Sequence, residues 1–192
     1  MSDLPSSKDE IRRAHLTARR GRSAAARVSV AEALAQHAAA TAVLAGARRA
    51  AVYLSTASEP GTGPLIEGFL ARGTEVLVPV VRDDGLLDWV LFDPAAVRTV
   101  GGLGISEPEG ERLGPDAVAG VDVVVLPALA VDHAGRRLGR GAGYYDRALA
   151  GLPVVRCAVV HADELLPVVP SEPHDVPVDL VLTEAGVFRI RR

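Results

Sequence analysis

Val121-Asp122-Val123-Val124-Val125-Leu126 carries one polar residue in six positions. Consecutive β-branched side chains are stiff at χ1 and favour extended backbone. A strand solvated on one side would alternate apolar and polar residues, whereas this run is apolar on both faces and needs cover on both. That requirement implies a largely parallel sheet between two layers of helices. The flanking sequence supplies both kinds of element. Strand signals occur at 50–54, 75–80, 86–92, 154–160 and 179–182. Helical signals occur from the Ser7/Glu10 capping box to Gly21, and from a Ser29/Glu32 capping box through an alanine-rich stretch to about Ala45. Two more lie at 62–70, with Thr62 as N-cap and Gly73 beyond the end, and at 143–150. Residues 132–135 make a good turn, and 101–115 a long glycine- and acid-rich loop that is either mobile or site-forming. The expected fold is a single-domain, three-layer α/β/α sandwich with a largely parallel mixed sheet, spanning residues 1–192.

Composition narrows the function classes. A net charge of −3 argues against nucleic acid as the main partner, and 48% apolar content supports a sizeable core. No apolar run reaches the length of a membrane span, and residues 1–10 are too polar for a signal peptide, so a cytoplasmic, monomeric protein is the expectation. Cys157 is the lone cysteine and sits among apolar neighbours, which reads as a buried strand residue rather than a catalytic thiol.

The chemistry concentrates in Leu138-Gly139-Arg140-Gly141-Ala142-Gly143-Tyr144-Tyr145-Asp146. Alternate glycines let backbone N–H groups approach a phosphate, a helix starting near Gly143 adds its dipole, and Arg140 offers a guanidinium fork. The tyrosines suit a planar ligand, and Asp146 suits a metal accompanying a polyphosphate. The spacing is neither the dinucleotide fingerprint nor a P-loop. A second cluster lies on the first helix. Lys8, the one lysine among 21 basic residues, forms a stripe with Arg12, His15 and Arg19, which by composition alone reads as a solvated helix face.

Together with Leu126-Pro127-Ala128-Leu129-Ala130-Val131-Asp132 and Gly135-Arg136-Arg137, the nonapeptide closely resembles the signature of the 5-formyltetrahydrofolate cyclo-ligase family. The resemblance extends from Lys8 to about Val187. It implies ATP- and Mg²⁺-dependent ring closure of 5-formyltetrahydrofolate. It also implies that Lys8, Arg12, Arg137, Leu138, Gly139, Arg140, Gly141, Ala142, Gly143, Tyr144 and Tyr145 hold ATP. Leu54 and Glu59, with Arg140 and Tyr144, would hold folate; Asp146 and Asp175 would hold the metal; and Arg140, Tyr144 and Lys8 would serve catalysis. His174 reads as a surface histidine, and Asp179 as part of a strand entrance. The chain departs from the family at Ala142, where lysine or glycine is common, at Ala128 and Val131, and at Pro60-Gly61. Two other classes remain open: a phosphate-binding isomerase or transferase on a similar scaffold, and a non-catalytic folate- or nucleotide-binding module.

Overall fold

A computed structural model describes residues 7–95, 98–100, 106–108 and 110–191. In chain order the elements are α1 (Lys8–Arg20), α2 (Ala24–Ala40), α3 (Ala42–Ala45), β1 (Arg49–Val52), α4 (Gly63–Ala71), β2 (Glu75–Val81), β3 (Leu87–Leu91), β4 (Arg98–Val100) and β5 (Ser106–Pro108). They continue with a 3-10 turn at Pro115–Gly120, β6 (Val123–Pro127), β7 (Ala130–Asp132), β8 (Arg137–Leu138), α5 (Tyr144–Leu149), β9 (Val155–Val159), β10 (Leu165–Leu166), β11 (Leu180–Thr183) and β12 (Gly186–Arg189). The apolar run at 121–126 becomes β6, the middle strand of a seven-stranded sheet ordered β12-β11-β9-β6-β1-β2-β3. The five inner strands are parallel, and β3 and β12 close the edges antiparallel.

Strand side chains alternate between two cores, as the pleat requires. Val123 and Val125, with Ala50, Val52, Cys157 and Val159, pack beneath α2 and α4 through Leu34, Leu65 and Phe69. Val124 and Leu126, with Ala51 and Ala158, face Leu149 of α5 and Val118 of the 3-10 turn. Both faces are therefore covered, as the run predicts. Each fully buried Val or Leu there contributes about 1.5–3 kcal/mol relative to exposure. Cys157 is buried in the first core, and burial pushes its thiol up to about 12, so it stays protonated and inert.

Some sequence expectations need correction. The second helix begins at Ala24, capped by Ser23, whose hydroxyl accepts from the Ala26 amide at 3.2 Å, so Ser29 lies inside the helix rather than at its start. Alanines at 24–26 extend the helix back to the first residue able to cap it. The helix also stops short of Ala45. Thr41 adopts extended backbone and donates its hydroxyl to the His37 carbonyl at 2.8 Å, so Ala42–Ala45 forms a separate turn. Thr62 stands at the start of α4 but makes no cap; its hydroxyl donates to the Tyr53 carbonyl at 2.8 Å. Strands β7 and β8 pair across the turn expected at 132–135, whereas edge strand β12 and the two-residue β10 had no counterpart among the sequence signals. Part of the loop 101–115 lies outside the described residues, and within it β5 pairs with β4.

The small sheet places the first helix. Ile11 of α1 packs against Ala130, Leu138 and Val169. Asp132, fully buried, accepts from the amides of Ala134, Arg136 and Val169 at 2.9, 3.0 and 2.9 Å and from Arg136 Nε at 2.6 Å. One carboxylate thus fixes both the turn after β7 and the segment leading to residues 170–175. Chain order reverses at β1, whose neighbours are β2 on one side and β6 on the other. The segments leaving β1 and β6 diverge there and leave a crevice at the carboxyl ends of the strands.

Candidate active site

That crevice is a cavity of about 590 Å³. Every residue named above for ATP, folate or metal lines it, from Lys8 and Arg12 through Leu54, Glu59 and the loop 137–146 to Asp175. Three segments far apart in sequence converge: 54–59 after β1, 137–146 from β8 into α5, and 172–175. Of the residues where the chain departs from the family, Ala128 also lines the cavity, whereas Val131 is buried in the core behind it.

The glycine loop is packed against arginines. A Cβ on Gly139 would lie 2.9 Å from Arg137 Nη1, and Gly141, at φ 105°, lies against the Arg12 guanidinium, whose Nη2 a Cβ would meet at 3.5 Å. Arg12 Nε donates to the Gly139 carbonyl at 3.1 Å, while its Nη1 pairs with Asp9 at 2.6 Å. Arg137 is buried; its Nη2 donates to Asp146 Oδ1 at 2.7 Å. The Val176 amide reaches the same oxygen at 3.1 Å, which brings the two candidate metal carboxylates, Asp146 and Asp175, to neighbouring positions. Helix α5 has six residues, so its dipole is weak, and positive charge in this wall comes chiefly from guanidinium groups.

Cations and carboxylates in the cleft are paired with one another. Lys8 Nζ lies 2.8 Å from Asp175 Oδ2 and 3.0 Å from Glu172 Oε1, pinning the start of α1 to the loop 172–175. Burial alone would lower the Lys8 pKa, but the hydrogen bonds to Asp175 and Glu172 outweigh it and raise the value. For Asp175, burial pulls upward, and the Lys8 bond and the Glu172 amide bring it below the usual carboxylate range. Both groups are charged at neutral pH. His174 is exposed, as expected, and Asp179 accepts from the Arg156 amide at 2.9 Å at the entrance to β11.

Glu59 is not a solvated loop residue, since its side chain is 8% exposed. Its Oε2 accepts from the amide and hydroxyl of Thr56 at 2.8 and 3.0 Å, and its Oε1 lies 3.3 Å from Arg140 Nη2. Arg140 also reaches the Ser58 hydroxyl at 3.1 Å, so it joins the loop after β1 to the glycine loop. Tyr53 was missed in the sequence, although its place beside Leu54 at the end of β1 was a usable signal. It lines the cavity, and its hydroxyl donates to the Pro60 carbonyl at 2.9 Å. Burial, and then the charge of Glu59, raises the pKa of both Tyr53 and Tyr145. Neither phenol is a base at neutral pH.

Arg19 overturns the solvated-face reading of the α1 stripe. It is 2% exposed, donates through Nε and Nη2 to the two oxygens of Glu164 at 2.7 and 2.6 Å, and also holds the Ala128 carbonyl at 2.6 Å. A bidentate buried pair thereby ties helix α1 to Glu164, in the turn after β9, and the bond to Ala128 ties it to the end of β6. Beside it His161 is buried, and burial followed by the charges of Arg22 and Arg19 pushes its pKa down to about 4 from an ordinary 6.5. Between those values the unfolded chain binds a proton that the folded chain refuses, so stability falls as pH drops from about 6.5 to 4. Urea denaturation at stepped pH is expected to show His161→Gln losing roughly 2–3 kcal/mol less than the parent over that interval. Identical slopes would assign the acid sensitivity to other groups.

A cation-rich cleft at the switch point of a doubly wound α/β sheet lies where open α/β enzymes place their ligand sites. The family model for the 5-formyltetrahydrofolate cyclo-ligase family matches residues 5–184, and this chain belongs to that family. It is 38% identical to the 5-formyltetrahydrofolate cyclo-ligase of Mycolicibacterium smegmatis, over 97% of this chain and 99% of that one. It is 32% identical to the Escherichia coli K12 protein of that name, over 74% and 81%. The solution structure of Aquifex aeolicus 5,10-methenyltetrahydrofolate synthetase superposes with a TM-score of 0.81 at 30% identity, covering 96% of this chain and 93% of that one.

Proposed function

We propose that this chain closes 5-formyltetrahydrofolate to 5,10-methenyltetrahydrofolate, converting ATP to ADP and phosphate. The observation that carries the reading is a single cavity lined by Lys8, Arg12 and Arg140 together with Glu59 and three tyrosines. The formamide oxygen is a poor leaving group. The γ-phosphoryl of ATP passes to that oxygen, giving an N5-iminium phosphate and ADP. N10 then attacks the formyl carbon and loses its proton, and the C–O bond breaks with release of phosphate. No nucleophilic side chain is needed, so the protein contributes positioning and charge neutralisation.

Lys8, Arg140 and Nη2 of Arg12, which has no hydrogen-bond partner among the described residues, bind phosphate oxygens, and the amides of 139–143 surround the transferred group. Glu59 accepts from the N–H donors of the pterin edge, Leu54 packs against its ring, and Tyr144 flanks the folate side. The donor set also fits Mg²⁺ carried on a polyphosphate. The hydrogen bonds to Asp146 converge on Oδ1 and those to Asp175 on Oδ2, while Asp175 Oδ1 lies 3.7 Å from Nε2 of the exposed His174. Two carboxylates leave places in a six-oxygen Mg²⁺ shell for phosphate oxygens and waters. When bound, Mg²⁺ neutralises phosphate charge. Appearance of the conjugated methenyl absorbance from purified protein, ATP, Mg²⁺ and 5-formyltetrahydrofolate tests the reading; its absence at high enzyme concentration would sink it.

Lys8 provides a graded check. Its pair with Asp175 and Glu172 is partly exposed and contributes little to folding. Lys8→Ala is therefore expected to fold normally yet lose roughly 1.5–3 kcal/mol of ATP or transition-state binding. Unchanged ATP kinetics in that variant would return Lys8 to a structural role.

A further inference from the structure

Arg147 follows Asp146 on α5, is exposed, and is not among the residues lining the cavity. Its Nη2 donates to the Gly85 carbonyl at 2.6 Å, its Nη1 to the Ala142 carbonyl at 3.0 Å, and its Cζ lies 5.5 Å from the ring centroid of Tyr144. One guanidinium thus joins the turn between β2 and β3, the glycine loop, and a tyrosine of the cavity wall. Lys8, Arg137 and Arg140 each have a carboxylate within 3.3 Å, whereas Arg147 has no carboxylate partner among the described residues. Its ligands are two carbonyls and a π face. Spanning two carbonyls with two nitrogens requires a planar fork that an ammonium does not possess. Gly143 lies close beside the fork, since a Cβ there would meet Nη1 at 3.0 Å.

We propose that Arg147 is a positioning residue. It holds loop 139–143 against the β2–β3 turn and fixes the Tyr144 ring, so that the phosphoryl-binding amides stand in place before ATP arrives. This rests on the reading above that the loop surrounds the transferred phosphoryl. Preorganised donors need no rearrangement when charge develops, so loosening them costs turnover more than affinity.

In ligand-free protein, Arg147→Ala is expected to accelerate amide hydrogen exchange at 139–143 about tenfold while melting within about 2 °C of the parent, as an exposed contact should. Turnover should fall about 10- to 100-fold, with the KM for 5-formyltetrahydrofolate changing less than about twofold. Arg147→Lys keeps the charge but cannot bridge both carbonyls, and should remain impaired. Parent-like exchange in the loop of Arg147→Ala overturns the clamp, and faster exchange with parent-like turnover overturns its catalytic consequence. Full recovery in Arg147→Lys would show that charge rather than bridging matters, and would overturn the geometry argued here. If the parent protein itself made no methenyl product, the function reading would fall, and loop exchange would still decide the clamp.

Discussion

Arg140→Ala is expected to lower turnover by about two orders of magnitude, the usual consequence of removing one donor from a site where charge develops. Its side chain is 50% exposed and its partners are the Thr56 and Ser58 hydroxyls and Glu59, so the loss should not unfold the protein. Glu59→Gln should behave differently. It keeps the size of the side chain but presents an amide donor to the pterin's own donors, so folate affinity should fall about 10- to 100-fold. The same substitution removes the carboxylate that now pairs with Arg140 at 3.3 Å. ATP affinity should therefore stay level or rise, because Arg140 no longer has to leave a carboxylate to meet phosphate. Equilibrium binding of each ligand to each variant measures both effects. Equal loss of both ligands in both variants would indicate a folding defect, and normal folate binding by Glu59→Gln would remove its pterin role.

The second large effect concerns the two aspartates. Asp175→Asn and Asp146→Asn are each expected to lower Mg²⁺-dependent turnover, with the double variant less than additive because both remove ligands of one ion. Their stabilities should diverge. Asp175 pairs with a partly exposed Lys8, and losing that charge costs little. Asp146 pairs with Arg137, whose side chain is 5% exposed, so Asn at 146 leaves a buried guanidinium without its carboxylate and costs about 3 kcal/mol or more. Magnesium titrations of turnover and urea denaturation of both variants separate the roles. Activity indifferent to excess EDTA would exclude the metal assignment, and equal stability of the two variants would show that the Arg137 pair is weaker than its burial implies.

The fold class could be read in the sequence because its signals are local. The apolar run at 121–126 demanded cover on both faces, the Ser7/Glu10 box began α1, and the nonapeptide at 138–146 marked the cavity wall. Each depends on a pleat, a helical turn or a tight loop, all set within a few residues. The Ser29 cap failed for the same reason: two local signals competed, and the alanines that follow Ser23 decided between them. Charge pairing is another matter. Lys8 meets Asp175 across 167 positions, Arg19 meets Glu164 across 145, and Arg140 bonds to Ser58 across 82. No spacing rule reaches that far, because the partner of a charge is whatever the packed sheet brings beside it. The sequence by itself therefore determined the layers, the loop chemistry and the candidate residues. Tertiary structure alone decided that Arg19 is a buried tie rather than a solvated cation, and that Glu59 and Arg140 hold each other, because desolvation and pairing exist only once distant segments are packed together.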